Sequence, residues 1–253
     1  MKIVMIGSGN AAAVLGRKFK AAGHQILQVV SRNASAASEL AYEWGTVSTN
    51  YQSPITKEAD VYLIAISDDA IDAVVEDLKL PGKVVAHTAA SVPMDILKKV
   101  TKHYGVFYPL QSLRKDMKIL PDVPIFFDGS DDVAKKMLEK LAHSIAKEQV
   151  AEAGDEERSK LHVAAVLVSN FTNHLYALAE DYCRKEGIDF KQLLPLIEET
   201  TARIKNISPK QAQTGPSLRH DDETIQKHLA LLEKYPPIKK IYQLLSESIR
   251  DFK

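Results

Sequence analysis

Cysteine is almost absent. Cys183 is the one thiol in 253 residues, which excludes an intramolecular disulfide and any cysteine-based metal cluster. With apolar neighbours on a predicted helix, it reads as a packing residue. Charge of one sign is not in excess either. The 33 Lys and Arg balance 33 Asp and Glu, no long like-charge block occurs, and neither nucleic acid nor an anionic membrane is expected as a partner. Long apolar runs are missing: stretches such as that around Ala164 to Val168 are far below the roughly 20 residues that span a bilayer. No set of His, Cys and acidic residues has metal-ligand spacing, so no metal is expected. Met1-Lys2 leads directly into an apolar run, from which no signal peptide and a cytoplasmic protein are expected. The most informative gap is local: no acidic residue precedes Glu39.

What fills that acid-free stretch is a short apolar run, Ile3 to Ile6, followed by Gly7-Ser8-Gly9-Asn10-Ala11-Ala12. An amphipathic helix containing Gly16 comes next, then a second apolar run, Ile26 to Val30, ending in Ser31-Arg32-Asn33. Strand, glycine turn, helix, strand is the order of a dinucleotide-binding βαβ unit. Gly7 permits the tight turn, Gly9 lets the backbone approach a pyrophosphate, and Ala12 keeps the helix close to the strand. The helix N-terminus adds free N–H groups and a partial positive charge. NAD sites usually carry an acid at the end of the second strand to bind the ribose 2′-OH. This chain offers Ser31, Arg32, Asn33 and Ser35, donors around one guanidinium, which suits a 2′-phosphate. The cofactor expected is NADP(H).

The chain is long enough to bury about 70% of its unfolded surface, in one large domain or two smaller ones. Helical spacing covers Ala34 to Trp44. Ala59 to Ile66 is a near-continuous apolar run, as in a strand buried on both faces of a parallel sheet. Ser67-Asp68-Asp69 predicts a helix start running to about Lys79, Leu80-Pro81-Gly82 a turn, Lys83 to Thr88 a strand and Pro93 to Lys102 a helix. Val106 to Tyr108 and Val123 to Phe127 read as strands, and Asp131 to Lys147 as a helix. Such alternation indicates a doubly wound parallel α/β sheet.

From Glu156 onward no convincing strand remains. Glu156 to Lys185 has helical character, about 45 Å long at 1.5 Å per residue, and Gly187 ends it. Further helices are expected at Phe190 to Asn206, Asp222 to Lys234 and Ile238 to Asp251, with Pro236-Pro237 as punctuation. The architecture read from this is a Rossmann domain, 1–152, followed by an all-helical domain, 153–253. In the long helix Ala164 to Val168 is apolar all round, which predicts burial on every side. His162, Ser169, Asn173, Tyr176 and Glu180 fall near one line, which either lines a cleft or is the helix's wet face. Asn170 lies off that line among apolar residues and is expected to need a buried partner. So long an apolar-centred helix also predicts a homodimer through this domain.

Several motifs resemble a known group. Gly-Ser-Gly-Asn at the turn and Ser31-Arg32 are similar to the NADP-binding half shared by deazaflavin-dependent NADP oxidoreductases, pyrroline-5-carboxylate reductases and 6-phosphogluconate dehydrogenases. Four stretches resemble one branch of that superfamily, NADP oxidoreductases with a helical C-terminal domain of unassigned function. They are His87 to Ser91, Tyr108 to Gln111, Ala164 to Asn170, and Thr214 to Asp221, the last followed by Thr224-Ile225 and His228-Leu229. The resemblance covers essentially the whole chain. It departs at Ala89-Ala90, where Ser-Gly is expected, at Tyr108, where His is expected, and at His220, where a small residue is usual. Lys160 is followed four positions later by Ala164 rather than Asn, which argues against β-hydroxyacid dehydrogenase chemistry.

In an open parallel sheet, ligands bind beyond the carboxyl ends of the strands. Ser67, Asp68, His87, Thr88, Tyr108 and Gln111 fall at such ends. The candidate cofactor contacts are Gly7, Ser8, Gly9, Asn10, Ala11, Ala12, Ser31, Arg32, Asn33, Ser67, Asp68 and Thr88. Hydride transfer needs a polarising donor and a proton source. His87 fits the proton source, and Asn170 and Tyr108 fit the donors; alternatively His87 is a strand-end histidine bonded to backbone. Gln111, Ser169, Asn173 and Arg219 are candidate substrate contacts, although Arg219 and Asp221 could equally pair to anchor a turn. His228, among apolar residues, reads as a satisfied core histidine. The function expected is an NADP(H)-dependent oxidoreductase acting on a small carbonyl or imine in an interdomain cleft. The alternative is a non-catalytic NADP(H)-binding sensor or scaffold.

Overall fold

The computed structural model describes residues 1–146 and 149–252. Strands β1 (Lys2–Ile6), β2 (Gln25–Val30), β3 (Val47–Thr49), β4 (Val61–Ile64), β5 (Val84–His87), β6 (His103–Pro109), β7 (Ile125–Gly129) and β8 (Val150–Glu152) form one sheet. Its order is β3-β2-β1-β4-β5-β6-β7-β8. Every neighbouring pair is parallel except β6 and β7. The sheet is therefore mostly parallel, not wholly so. The cause is local: the residues between β6 and β7 form no helix, and without a crossover the chain returns alongside β6 in the antiparallel sense.

Apolar runs become central strands because both faces are covered. In β1, Ile3 and Met5 pack with Phe19, Trp44 and Leu138, while Val4 and Ile6 pack with Ile71, Val75 and Leu97. Helices α1 (Asn10–Ala21), α2 (Ala34–Trp44) and, later in the chain, α4 (Asp132–Ile145) supply the first layer. The second comes from α3 (Ile71–Asp77) and a 3₁₀ segment, Met94–Lys99. Gly16 is glycine for a steric reason, since a Cβ there would sit 2.3 Å from the Trp44 ring. Asn33 and Asp131 cap α2 and α4 through bonds of 3.0 and 2.9 Å from the Ala36 and Ala134 N–H groups.

Several expectations change in detail. The helix expected from Pro93 is the 3₁₀ segment, and the one after Ser67 opens with a 3₁₀ turn, Asp68–Ala70, without a side-chain cap from Ser67. The three-residue strands β3 and β8 are too short to carry a readable period. The end expected at Lys147 for α4 lies outside the described residues.

Helix α5 (Asp155–Ala165) is followed directly by a π-helical turn, Val166–Phe171, and by α6 (Thr172–Glu186), closed by Gly187 at φ 72°. Helices α7 (Leu194–Arg203), α8 (Pro209–Ala212), α9 (Asp222–Leu231) and α10 (Pro236–Asp251) complete the chain. Pro236 and Pro237 start α10 instead of punctuating it, because the first turn of a helix does not need their missing N–H groups. The chain divides into two compact units, Met1–Ser169 and Asn170–Lys253. The composition shift at 152/153 marks the last strand, whereas α5 belongs to the first unit. Arg158 fastens it there, fully buried, donating to the Val92 carbonyl at 3.0 Å and to Asp155 at 2.7 Å. Burial on every side of Ala164 to Val168 is not found: Ala164 is exposed, and Leu167 and Val168 are 56 and 75% exposed.

Candidate functional site

The strand order reverses between β1 and β4, and the glycine turn sits at that switch point. The Gly7 N–H donates to the Val30 carbonyl at 2.8 Å, and Ala65 N–H donates to Ile6 at 2.7 Å. Gly7 takes φ 127°, and a Cβ there would lie 2.1 Å from the Ala65 carbonyl oxygen. Gly9 differs: a Cβ there would meet no protein atom within 4 Å. Its face is open to a cavity of about 730 Å³. Of the twelve candidate cofactor contacts, Gly7, Ser8, Gly9, Asn10, Ala11, Ser31, Arg32, Asn33 and Ser67 line this cavity. Ala12, Asp68 and Thr88 do not line it; Ala12 is buried within α1, and the Thr88 N–H is bonded to the Ile64 carbonyl.

Helix α1 begins at this cavity with no side-chain cap and no acid in its first turn, leaving its N–H groups for an anion. No acidic residue lines the cavity among the described residues, and Arg32 there is exposed without an ion pair. A second cavity, of about 430 Å³, shares Arg32, Tyr51 and Val74 with the first and adds Ser53, Lys57 and Lys79, with Asp77 as the acid on its wall. Burial raises the Tyr51 hydroxyl pKa, opposed by the nearby Arg32 charge. The donor set fits an adenosine 2′-phosphate next to a pyrophosphate. Tyr51 and Lys57 were not foreseen, because they lie between β3 and β4, where no period or motif marks them. Asn10 also ties down a segment distant in the chain, its Oδ1 accepting the Lys115 N–H at 3.0 Å.

At the carboxyl edge Ile64, His87 and Val106 are in register across β4, β5 and β6. His87 is fully buried. Its Nδ1 accepts the Ala89 N–H at 3.3 Å, and its Nε2 has no hydrogen-bond partner. Burial first, then the Arg158 charge, push its pKa down to about 4; the Pro93 backbone lies near enough to oppose the shift without accepting a bond. At neutral pH this imidazole is uncharged and sealed off. Two residues beyond Val106 stands Tyr108, 7% exposed, with its ring against Ala90 and Val106. Its hydroxyl lies 3.2 Å from Nδ1 of His162 on α5. Burial raises the Tyr108 pKa, helped by the Asp68 charge and opposed by Arg158. His162, read only as part of a polar line, is the other residue this geometry singles out.

Gln111 donates to the Asp122 carbonyl and accepts from Ser112 N–H. Ser169 ends the first unit, and Asn170 and Asn173 open the second. Asn170 is exposed in the π-helical turn, so the buried partner expected for it is not required. Asp221 caps α9 through Thr224, and Arg219 affects it only as a nearby charge. His228 is satisfied by the Tyr242 hydroxyl at 2.8 Å.

Comparison with known proteins fits this geometry. Residues 2–91 match the family model described as NADP oxidoreductase, coenzyme F420-dependent, and residues 123–249 match a domain of unknown function, DUF2520. A Bacteroides fragilis protein named "putative NADP oxidoreductase" is 36% identical, with 99% of this chain and 98% of that one covered and a TM-score of 0.89. The chain belongs to the NADP oxidoreductase family. Its cofactor is NADP, and its fold is the Rossmann-like fold of that family. More distant structures share the fold. A pyrroline-5-carboxylate reductase from Streptococcus pyogenes is 14% identical, covers 100% and 99% of the two chains and has a TM-score of 0.65. An Aspergillus terreus reductive aminase in complex with NADPH and ethyl-5-oxohexanoate is 18% identical, covers 98% and 94%, and has a TM-score of 0.69. No curated protein matches the sequence. Among the described residues no group of His, Cys, Asp and Glu could hold a metal ion, and no helix is long and apolar enough to cross a membrane.

Proposed function

We propose that this NADP oxidoreductase is a reductase delivering hydride to a small carbonyl or imine, with Tyr108 polarising the reacting heteroatom. The observation that carries this reading is the Tyr108 hydroxyl. It ends a packed ring at the carboxyl edge of the sheet, within electrostatic reach of Asp68, the neighbour of the cavity-lining Ser67. NADPH supplies the hydride. Negative charge then grows on the substrate oxygen or nitrogen, and a donor aimed at it is worth about 10²–10³ in rate. His87, neutral and buried, shapes the strand edge and is not the proton source in this scheme. Gln111 and Ser169, in the same unit as Tyr108, are retained as substrate contacts. The reductive aminase and pyrroline-5-carboxylate reductase folds support a carbonyl or imine as substrate class.

We read the protein further as a homodimer. The exposed Leu196, Leu231 and Leu244 of the second unit support a second copy as their cover. The activity test is NADPH absorbance with 1-pyrroline, and with ethyl-5-oxohexanoate in the presence and absence of a primary amine. Oxidation by at least one compound is expected, and Tyr108→Phe should lower it about 10²–10³-fold. NADPH that binds tightly but is oxidised by no carbonyl or imine would leave a binding protein instead.

A further inference from the structure

The Tyr108 side chain is buried, and its hydroxyl meets an exposed imidazole, that of His162. Tyr108 has Val106 and Ala90 packed on its ring, whereas His162 on α5 is exposed. Their contact, 3.2 Å from Oη to Nδ1 with the rings edge to face at 73°, joins solvent to the strand edge through one imidazole. The charged groups acting on the tyrosine are Asp68, after β4, and Arg158, on α5 and paired with Asp155. We infer that His162 is the relay that returns a proton from water to Tyr108 after each turnover. This rests on the reductase reading and adds the residue that resets it.

The step balances. Hydride adds to the carbonyl carbon, the π pair moves to oxygen, the Tyr108 O–H bond breaks and a substrate O–H forms. The phenolate then takes the Nδ1 proton of His162 while Nε2 takes one from water. Before the next turnover the exposed imidazole exchanges with solvent, losing the Nε2 proton and regaining one at Nδ1. Net, the carbonyl gains a hydride and a solvent proton. With Nδ1 protonated, His162 donates to Oη and leaves the tyrosine hydrogen free to point at substrate. Without a partner, the buried phenolate would be costly, in line with the raised Tyr108 pKa. His162 acts through Tyr108 and is a positioning and relay residue.

The test has one arm that needs no substrate. In protein labelled at tyrosine Cζ, the titration of the Tyr108 phenol, already raised by burial, should shift in His162→Gln, which removes the imidazole beside Oη. An unchanged titration curve in His162→Gln would overturn the relay. In turnover, His162→Ala should lower kcat at least about tenfold, raise the solvent isotope effect, leave the Kd for NADPH unchanged and recover with added imidazole. A His162→Ala enzyme with unaltered kcat and pH profile would also overturn it, with the reductase reading intact. If no compound oxidises NADPH, that reading fails, and the tyrosine titration still decides the coupling.

Discussion

The Ser8 and Ser31 hydroxyls lie 2.8 Å apart, tying the glycine turn after β1 to the end of β2. Ser31 Oγ also accepts the Asn33 N–H at 3.2 Å, so the loop that carries Arg32 is held by the same bond network. The N-terminus of α1 and the backbone that carries Arg32 are thereby tied to each other, as a ligand with a pyrophosphate and a separate phosphate requires.

Arg32→Ala should therefore weaken NADPH binding about tenfold or more, roughly 1.4 kcal/mol, and leave NADH nearly unchanged. Fluorescence titration of both nucleotides checks this. Equal losses for the two would mean that Arg32 does not read the 2′-phosphate.

The two turn glycines should respond differently to alanine. Gly7→Ala puts a Cβ against the Ala65 carbonyl at φ 127°, so Tm and NADPH binding should fall together. At Gly9 the Cβ meets no protein atom, so Gly9→Ala should keep the parent Tm while lowering NADPH affinity. Unchanged affinity in folded Gly9→Ala would place the pyrophosphate elsewhere.

His87 predicts a stability slope in acid. Its pKa is about 4 when folded, against 6.5 for the free side chain, so between those values the unfolded chain binds more protons. The stabilisation is complete above about pH 6.5 and is lost as pH falls towards 4, by on the order of 3 kcal/mol. Urea denaturation at several pH values should show this slope, and His87→Gln should flatten it. A His87→Gln slope identical to the parent's would mean that other groups cause the acid sensitivity.

The exposed apolar residues of the helical part predict a dimer in light scattering at micromolar concentration. A groove of about 460 Å³ lined by Leu175, Tyr182, Leu231, Ile241 and Leu245 offers such a contact surface. Leu231→Glu should shift the mass towards the monomer without loss of helical circular dichroism. A monomeric parent protein would refute the dimer.

Some of this was determined by the sequence alone. Chemistry that is local in the chain is legible there: two glycines after an apolar run, an acid-free second strand end, and apolar runs long enough to require burial on both faces. Hence the dinucleotide turn, α2 and the central strands appear where the residues put them. Contacts between distant segments decided the rest. Tyr51 and Lys57 join Arg32 only because β3 pairs with β2 and brings the following loop back to the cavity. Among the polar residues at the strand ends, His87 and Tyr108 are both buried and their partners separate them: Nε2 of His87 has none, whereas the Tyr108 hydroxyl meets the exposed His162. Proton chemistry depends on solvent access and on which charge stands nearby, and neither is a property of sequence spacing.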